Sequence, residues 1–191
     1  GKLGGYMMKF GSRGNGEGQF NAPWGIAVDR VRGFVYVVDS ANFRVQKFDM
    51  SGEFIMAWGS FGSGDGQFYF PRGVAVDERD GLVYVVDMGN HRIQKFDNAG
   101  NFIILWGCFG SANANFHNPT GIACDGKGDV WVVDTNNHRI QKFDGKLGGY
   151  ITKFGSRGNG EGQFNAPWGI AVDRVRGFVY VVDSANFRVQ K

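Results

Sequence analysis

Cysteine, proline and histidine are scarce in this chain of 191 residues, which holds two, four and three of them respectively. Cys108 and Cys124 cannot supply a disulfide framework, and a reduced setting is the simpler expectation, which favours a cytoplasmic parent protein. No stretch approaches the ~18 consecutive apolar residues that cross a bilayer. The opening Gly1-Lys2-Leu3-Gly4-Gly5 carries no signal-peptide core either, so no membrane partner is expected. Charge of one sign is not in excess: 21 basic residues face 18 acidic ones, which permits an acidic partner without demanding one. Glycine is the opposite case. Its 32 residues stand between short apolar runs, a composition that excludes a helical bundle and suits strands joined by tight turns.

The strongest signal is repetition. Residues 1–47 return as 145–191 with only Met7 changed to Ile151 and Met8 to Thr152, and two looser copies lie between. Pro23, Pro71, Pro119 and Pro167 are each 48 residues apart, which sets four units beginning near 20, 68, 116 and 164 within one domain spanning 1–191. Within each unit the apolar residues alternate with period two. Blade two reads as strands at Gly73-Val74-Ala75-Val76, Val83 to Val86, Arg92 to Phe96 and Phe102 to Trp106. Four antiparallel strands per unit give an all-β propeller of four-stranded blades. The fourth strand should pack through Tyr6, Met8 and Phe10 and their equivalents, and the Gln-Phe pairs Gln19-Phe20, Gln67-Phe68 and Gln163-Phe164 should place a ring between blades. The chain begins with a fourth strand, Gly5 to Gly11, and stops in a third, so an N-terminal strand is expected to complete the last blade, within one chain or between chains.

Pro-x-Gly-Ile-Ala-Val-Asp, Val-Tyr-Val-Val-Asp and Asn-His-Arg-Ile-Gln-Lys-Phe together resemble the NHL repeat, with the signature intact at Asn90-His91-Arg92-Ile93 and Asn137-His138-Arg139-Ile140 and Phe43 or Phe187 in place of the histidine in blades one and four. The resemblance covers the whole chain and implies a propeller that usually has six blades. Four blades then call for self-association, with a trimer forming two six-bladed rings as the expected homo-oligomer; a closed four-bladed monomer is the alternative. The near-identity of the first and last repeats reads either as a duplicated three-blade unit or as deliberate repetition of blades, and the cut at the clasp favours an engineered or excised four-blade chain.

The polar constellations are expected to be framework. Asp39, Asn42 and Arg44 recur as Asp87, Asn90, Arg92, as Asp134, Asn137, Arg139 and as Asp183, Asn186, Arg188, around the turn between strands two and three, where Asn tolerates left-handed backbone and Asp caps the turn. Asp29, Asp77, Asp125 and Asp173 end the first strands; a ring of carboxylates would suit Ca²⁺, but turn initiation is the expected role. A related family of amidating lyases holds zinc with histidines from different blades. Here His91 and His138 alternate with phenylalanine and His117 has no partner, so no metal, cofactor or catalytic residue is assigned and the chain is expected not to be an enzyme.

One face remains as a candidate ligand site. Trp24, Arg72 and Trp168 follow the repeat prolines at the channel rim, with Thr120 in blade three, and Phe43, His91, His138 and Phe187 are expected farther out on the same face. Aromatic and cationic groups together can stack bases and hold phosphates. NHL domains of tripartite-motif proteins bind single-stranded RNA or proteins, so the resemblance implies an RNA or protein ligand as the alternative to a purely structural scaffold.

Overall fold

In the computed structural model, which describes residues 7–191, every repeat folds into one antiparallel blade. Two short strands open the chain, β1 (Ser12–Arg13) and β2 (Gln19–Phe20), paired in parallel. Blade one is β3 (Pro23–Asp29), β4 (Phe34–Asp39), β5 (Arg44–Asp49) and β6 (Phe54–Trp58). Blade two is β7 (Pro71–Asp77), β8 (Leu82–Asp87), β9 (Arg92–Phe96) and β10 (Phe102–Trp106). Blade three is β11 (Pro119–Cys124), β12 (Val130–Asp134), β13 (Arg139–Phe143) and β14 (Tyr150–Phe154). Blade four has three strands, β15 (Pro167–Val172), β16 (Val179–Asp183) and β17 (Arg188–Gln190).

The first strands β3, β7, β11 and β15 lie side by side around an axis, so the blades form a continuous arc. Their close approach rests on glycine: a Cβ at Gly73 would stand 2.5 Å from the Thr120 carbonyl oxygen, and one at Gly121 would stand 2.6 Å from that of Trp168. The seams between blades are the core. Tyr36, Val38 and Val45 of blade one close on Phe68, Val74 and Val76 of blade two, and Val86, Ile93 and Trp106 close on Phe116, Ile122 and Cys124 of blade three. Phe68 and Phe164 are fully buried in these seams, as the Gln-Phe pattern predicts, and Phe116 after the variant Asn115 joins them, whereas Phe20 is half-buried against Phe48; each large side chain fully buried contributes ~1.5–3 kcal/mol.

The expected N-terminal clasp differs from the sequence reading. Tyr6 and the residues before it lie outside the described residues, and Met7 to Gly11 form no strand and do not pair with β17. Phe10 instead rests on Phe48 of blade one, ring centroids 5.0 Å apart, and covers Gly52. Trp58 makes the same contact with Phe96 over Gly100, and Trp106 with Phe143 over Gly148. The segment therefore takes, against blade one, the place that the outer-strand residues Trp58 and Trp106 take against blades two and three.

Candidate functional site: the channel mouth and the blade hubs

The Asp-Asn-Arg constellation forms a buried hub in every blade. The Asp39 carboxylate accepts from the Asn21 N–H at 2.7 Å, Asn42 Nδ2 at 2.8 Å, Arg44 Nε at 2.8 Å and Gln46 Nε2 at 3.1 Å. Asp87, Asp134 and Asp183 repeat the pattern with Arg92, Arg139 and Arg188. Burial pushes the Asp87 carboxyl upward, and the Tyr69 N–H, Asn90 and Arg92 oppose it. The hubs also grip the linker entering their own blade: Asn42 Nδ2 donates to the Gly14 carbonyl, and Arg44 Nη2 to those of Gly16 and Gln19. A carboxylate so fully used for hydrogen bonding inside the fold has a structural task. The left-handed residue is not the expected Asn but the one after it, with φ of 54° at Phe43, 55° at His91, 54° at His138 and 55° at Phe187, while the Asn side chain serves the hub.

The strand-end aspartates serve their turns. Asp29 accepts from the Val31 and Arg32 N–H groups and from Arg32 Nη1, and Asp173 does the same with Val175 and Arg176. Asp77 holds Arg79 at 2.7 Å, and Asp125 takes Lys142 at 3.2 Å together with Trp131 Nε1. Beside them lies a brace the sequence does not announce: Glu78 of blade two receives Arg30 of blade one at 3.0 Å and Arg174 of blade four at 2.7 Å. Its only trace in the chain is that the residue after each strand-end Asp reads Arg30, Glu78, Gly126, Arg174.

The structure brings Trp24, Arg72, Thr120 and Trp168 together around a cavity of about 210 Å³ at the axis, walled by the glycines of the four first strands. Trp24 and Trp168 stack across it, 5.7 Å between ring centroids at 30°, and the Arg72 guanidinium lies 3.8 Å over the Trp24 ring. Thr120 Oγ1 donates to the Trp168 carbonyl at 2.8 Å. Arg72 Nε is buried without a hydrogen-bond partner, and burial pulls its guanidinium down from the ordinary arginine value. This mouth is aromatic, cationic and incompletely satisfied.

The outer group of predicted residues is dispersed among the seams. Phe43 packs on Phe61 and Phe70 of blade two's entry linker, at 5.1 and 5.8 Å. His91 packs on Phe109, 5.1 Å away, and its Nδ1 accepts the Asn118 N–H at 3.2 Å; His138 Nδ1 accepts that of Ala166 at 3.1 Å. Phe187 is 95% exposed.

Comparisons with known proteins agree with this architecture. A family model described as NHL repeat matches residues 20–48, 68–96, 116–143 and 164–191. Protein lin-41 of Caenorhabditis elegans is 50% identical over 50 residues, 26% of this chain and 4% of that protein. The E3 ubiquitin-protein ligase TRIM71 of Mus musculus is 47% identical over 47 residues, 25% of this chain and 5% of that protein. The chain thus spans only a small fraction of the length of these relatives. Among solved structures, a streptogramin B lyase superposes with a TM-score of 0.66 at 19% identity over 87% of this chain and 50% of its own. A nidogen/laminin complex gives 0.61 at 20% identity, over 90% of this chain and 63% of its own. At such identities the structures share the fold alone. The four matched repeats, each folded as one blade with the same buried hub, make this chain a member of the NHL repeat family of β-propellers.

Proposed function

We propose that this chain is a non-catalytic scaffold that completes its propeller by associating head to tail with further copies of itself. The observation that carries the reading is a pair of exposed blade flanks that are counterparts of faces buried elsewhere in the chain. In blade four Val182 and Val189 are 45% and 64% exposed, whereas Val86 and Ile93 at the same places in blade two are 0% exposed. On the opposite flank Ile26 of blade one is 64% exposed and its counterpart Val74 is 6% exposed. Blade four carries the sequence of blade one, whose outer flank already mates with blade two, so a face built to be covered is presented at one end and its complement at the other. Covering Ile26, Val28, Val182 and Val189 is worth roughly 3–6 kcal/mol in gross terms at ~1.5–3 kcal/mol per full side chain, against which association entropy must be set.

Three copies hold twelve blades, enough for two six-bladed rings, so a mass three times the 21.0 kDa chain is the expected assembly. Native mass spectrometry with light scattering tests this. Val182→Asp combined with Val189→Asp should return the particle to single-chain mass while leaving the β-sheet spectrum intact. A single-chain mass for the unaltered protein at tens of micromolar overturns the reading.

A second reading is favoured by one specific observation, the unpartnered Arg72 Nε over Trp24, whose ring stacks on Trp168. It makes the channel mouth a platform for single-stranded RNA, with a protein segment as the other ligand. Fluorescence anisotropy with a labelled single-stranded RNA should show salt-dependent binding weakened about 5- to 150-fold by Trp24→Ala, from ~1–3 kcal/mol per stacked base. Affinity unchanged from the unaltered protein in both Trp24→Ala and Arg72→Ala removes the site.

A further inference from the structure

Blade four lacks an outer strand among the described residues, and Met7 to Phe10 lie on the other flank of the arc without a strand partner. The same arc shows what each is shaped to meet. Phe10 sits on Phe48 and covers Gly52, as Trp58 sits on Phe96 over Gly100 and Trp106 on Phe143 over Gly148. Trp58 and Trp106 belong to outer strands of the preceding blade. After Phe10 the chain runs through the parallel pairing Ser12–Gln19 and Arg13–Phe20, the counterpart of the Phe61–Phe68, Phe109–Phe116 and Arg157–Phe164 bridges that join one blade to the next. The N-terminal segment is thus held in the position of an outer strand whose three inner strands are missing.

We infer that a second copy of this chain supplies those three strands, so that Met8 to Phe10 of one copy becomes the outer strand of blade four in the other. This rests on the head-to-tail reading above and adds the strand exchange and its register. Val45 pairs with Trp58, Ile93 with Trp106 and Ile140 with Phe154, which sets Val189 opposite Phe10. Lys47 pairs with Met56 and Lys95 with Ile104, which sets Lys191 opposite Met8. Two further contacts follow from the same repeat. Lys47 Nζ donates to the Asn98 carbonyl at 2.7 Å and Lys95 Nζ to that of Gly145 at 2.9 Å, each in the next blade's turn, so Lys191 reaches the Met50 carbonyl of the second copy. Gly25, Gly73 and Gly121 each admit a carbonyl of the next first strand, whereas a Cβ at Gly169 would meet only the Val182 side chain, at 3.4 Å. Gly169 is the open half of that contact, and the Trp24 carbonyl of the second copy fills it. The ladder, the lysine bond and the glycine contact all select one partner, another copy presenting the flank of blade one. Strand addition to an exposed edge also removes the unpaired backbone groups of β17.

Disulfide trapping tests the register. Two single variants, Met8→Cys and Lys191→Cys, both in a Cys108→Ser background, are mixed under mild oxidation. Directly opposed residues of an antiparallel pair have Cβ atoms close enough for a disulfide. The mixture should give a covalent two-chain species at least tenfold more abundant than Met8→Cys mixed with Val189→Cys, and a Lys9→Pro change should suppress it by a similar factor. Absence of the mixed cross-link from a protein that native mass spectrometry shows to be oligomeric overturns strand exchange and leaves flank association standing. A single-chain mass overturns both. A Met8→Cys/Lys191→Cys double variant that cross-links only within one chain overturns the inference in favour of internal closure.

Discussion

Acidification should loosen the two seams that use histidine. His91 and His138 each present Nδ1 as acceptor to a backbone N–H of the following blade, at 3.2 and 3.1 Å, which requires the neutral ring. Both are held below the ordinary histidine value, His91 by burial and then by His117, His138 by burial and then by Arg157. Asp134 and Asp87 oppose the shift at His91, and Asp183 opposes it at His138. The unfolded chain therefore binds more protons than the folded one between the lowered values and ~6.5, so stability is complete above ~6.5 and declines as the pH falls through the folded values. Losing each bond costs ~1 kcal/mol, so the two seams together lose up to about 2 kcal/mol. For a chain of this size that lowers Tm by about 4–8 °C. Calorimetry at intervals from pH 7.5 to 5.0 reads it directly. Changing His91→Phe and His138→Phe gives these seams the residue that Phe43 supplies between blades one and two, and should flatten the slope. An equal slope in the double variant refutes the reasoning.

Other expectations concern the framework. Removing Arg92 as Arg92→Ala strands the fully buried Asp87 and should cost ~3–5 kcal/mol in chemical denaturation. Arg188→Ala in blade four, where the arginine side chain is 31% exposed, should cost distinctly less in the single chain. Gly73→Ala places a Cβ against the Thr120 carbonyl and should cost ~1–3 kcal/mol, while Gly169→Ala should leave the single chain's Tm unchanged and lower its association.

Period-two alternation and the 48-residue spacing made the blades, the seam phenylalanines and the hub carboxylates readable, because each depends on contacts within a unit or with the next one. The channel mouth was half readable. The prolines locate Trp24, Arg72 and Trp168, but the stacking of Trp24 on Trp168 depends on how far the arc curves, which no local pattern encodes. Curvature also hides the Glu78 brace, where Arg174 arrives from 96 residues away. The outer aromatic set misled for a related reason. Left-handed backbone at Phe43, His91 and His138 turns these side chains toward the next blade's linker, so a shared repeat position does not make a shared surface. Alternation likewise marks Met8 and Phe10 as an outer-strand pattern, yet Met7 to Gly11 form no strand and Phe10 rests on Phe48, because pairing depends on a partner edge that no local pattern encodes.

Each hub holds carbonyls of the linker that leads into its own blade, and the Gln-Phe ring at the end of that linker lies in the seam behind it. Loss of one blade therefore slackens the tether of its neighbour, and the molecule should come apart like a zip fastener from a free end. Under mechanical load or slow hydrogen exchange, the terminal blade at Phe187 gives way first, and the pair of blades sharing Tyr84 and Phe116 outlasts the rest.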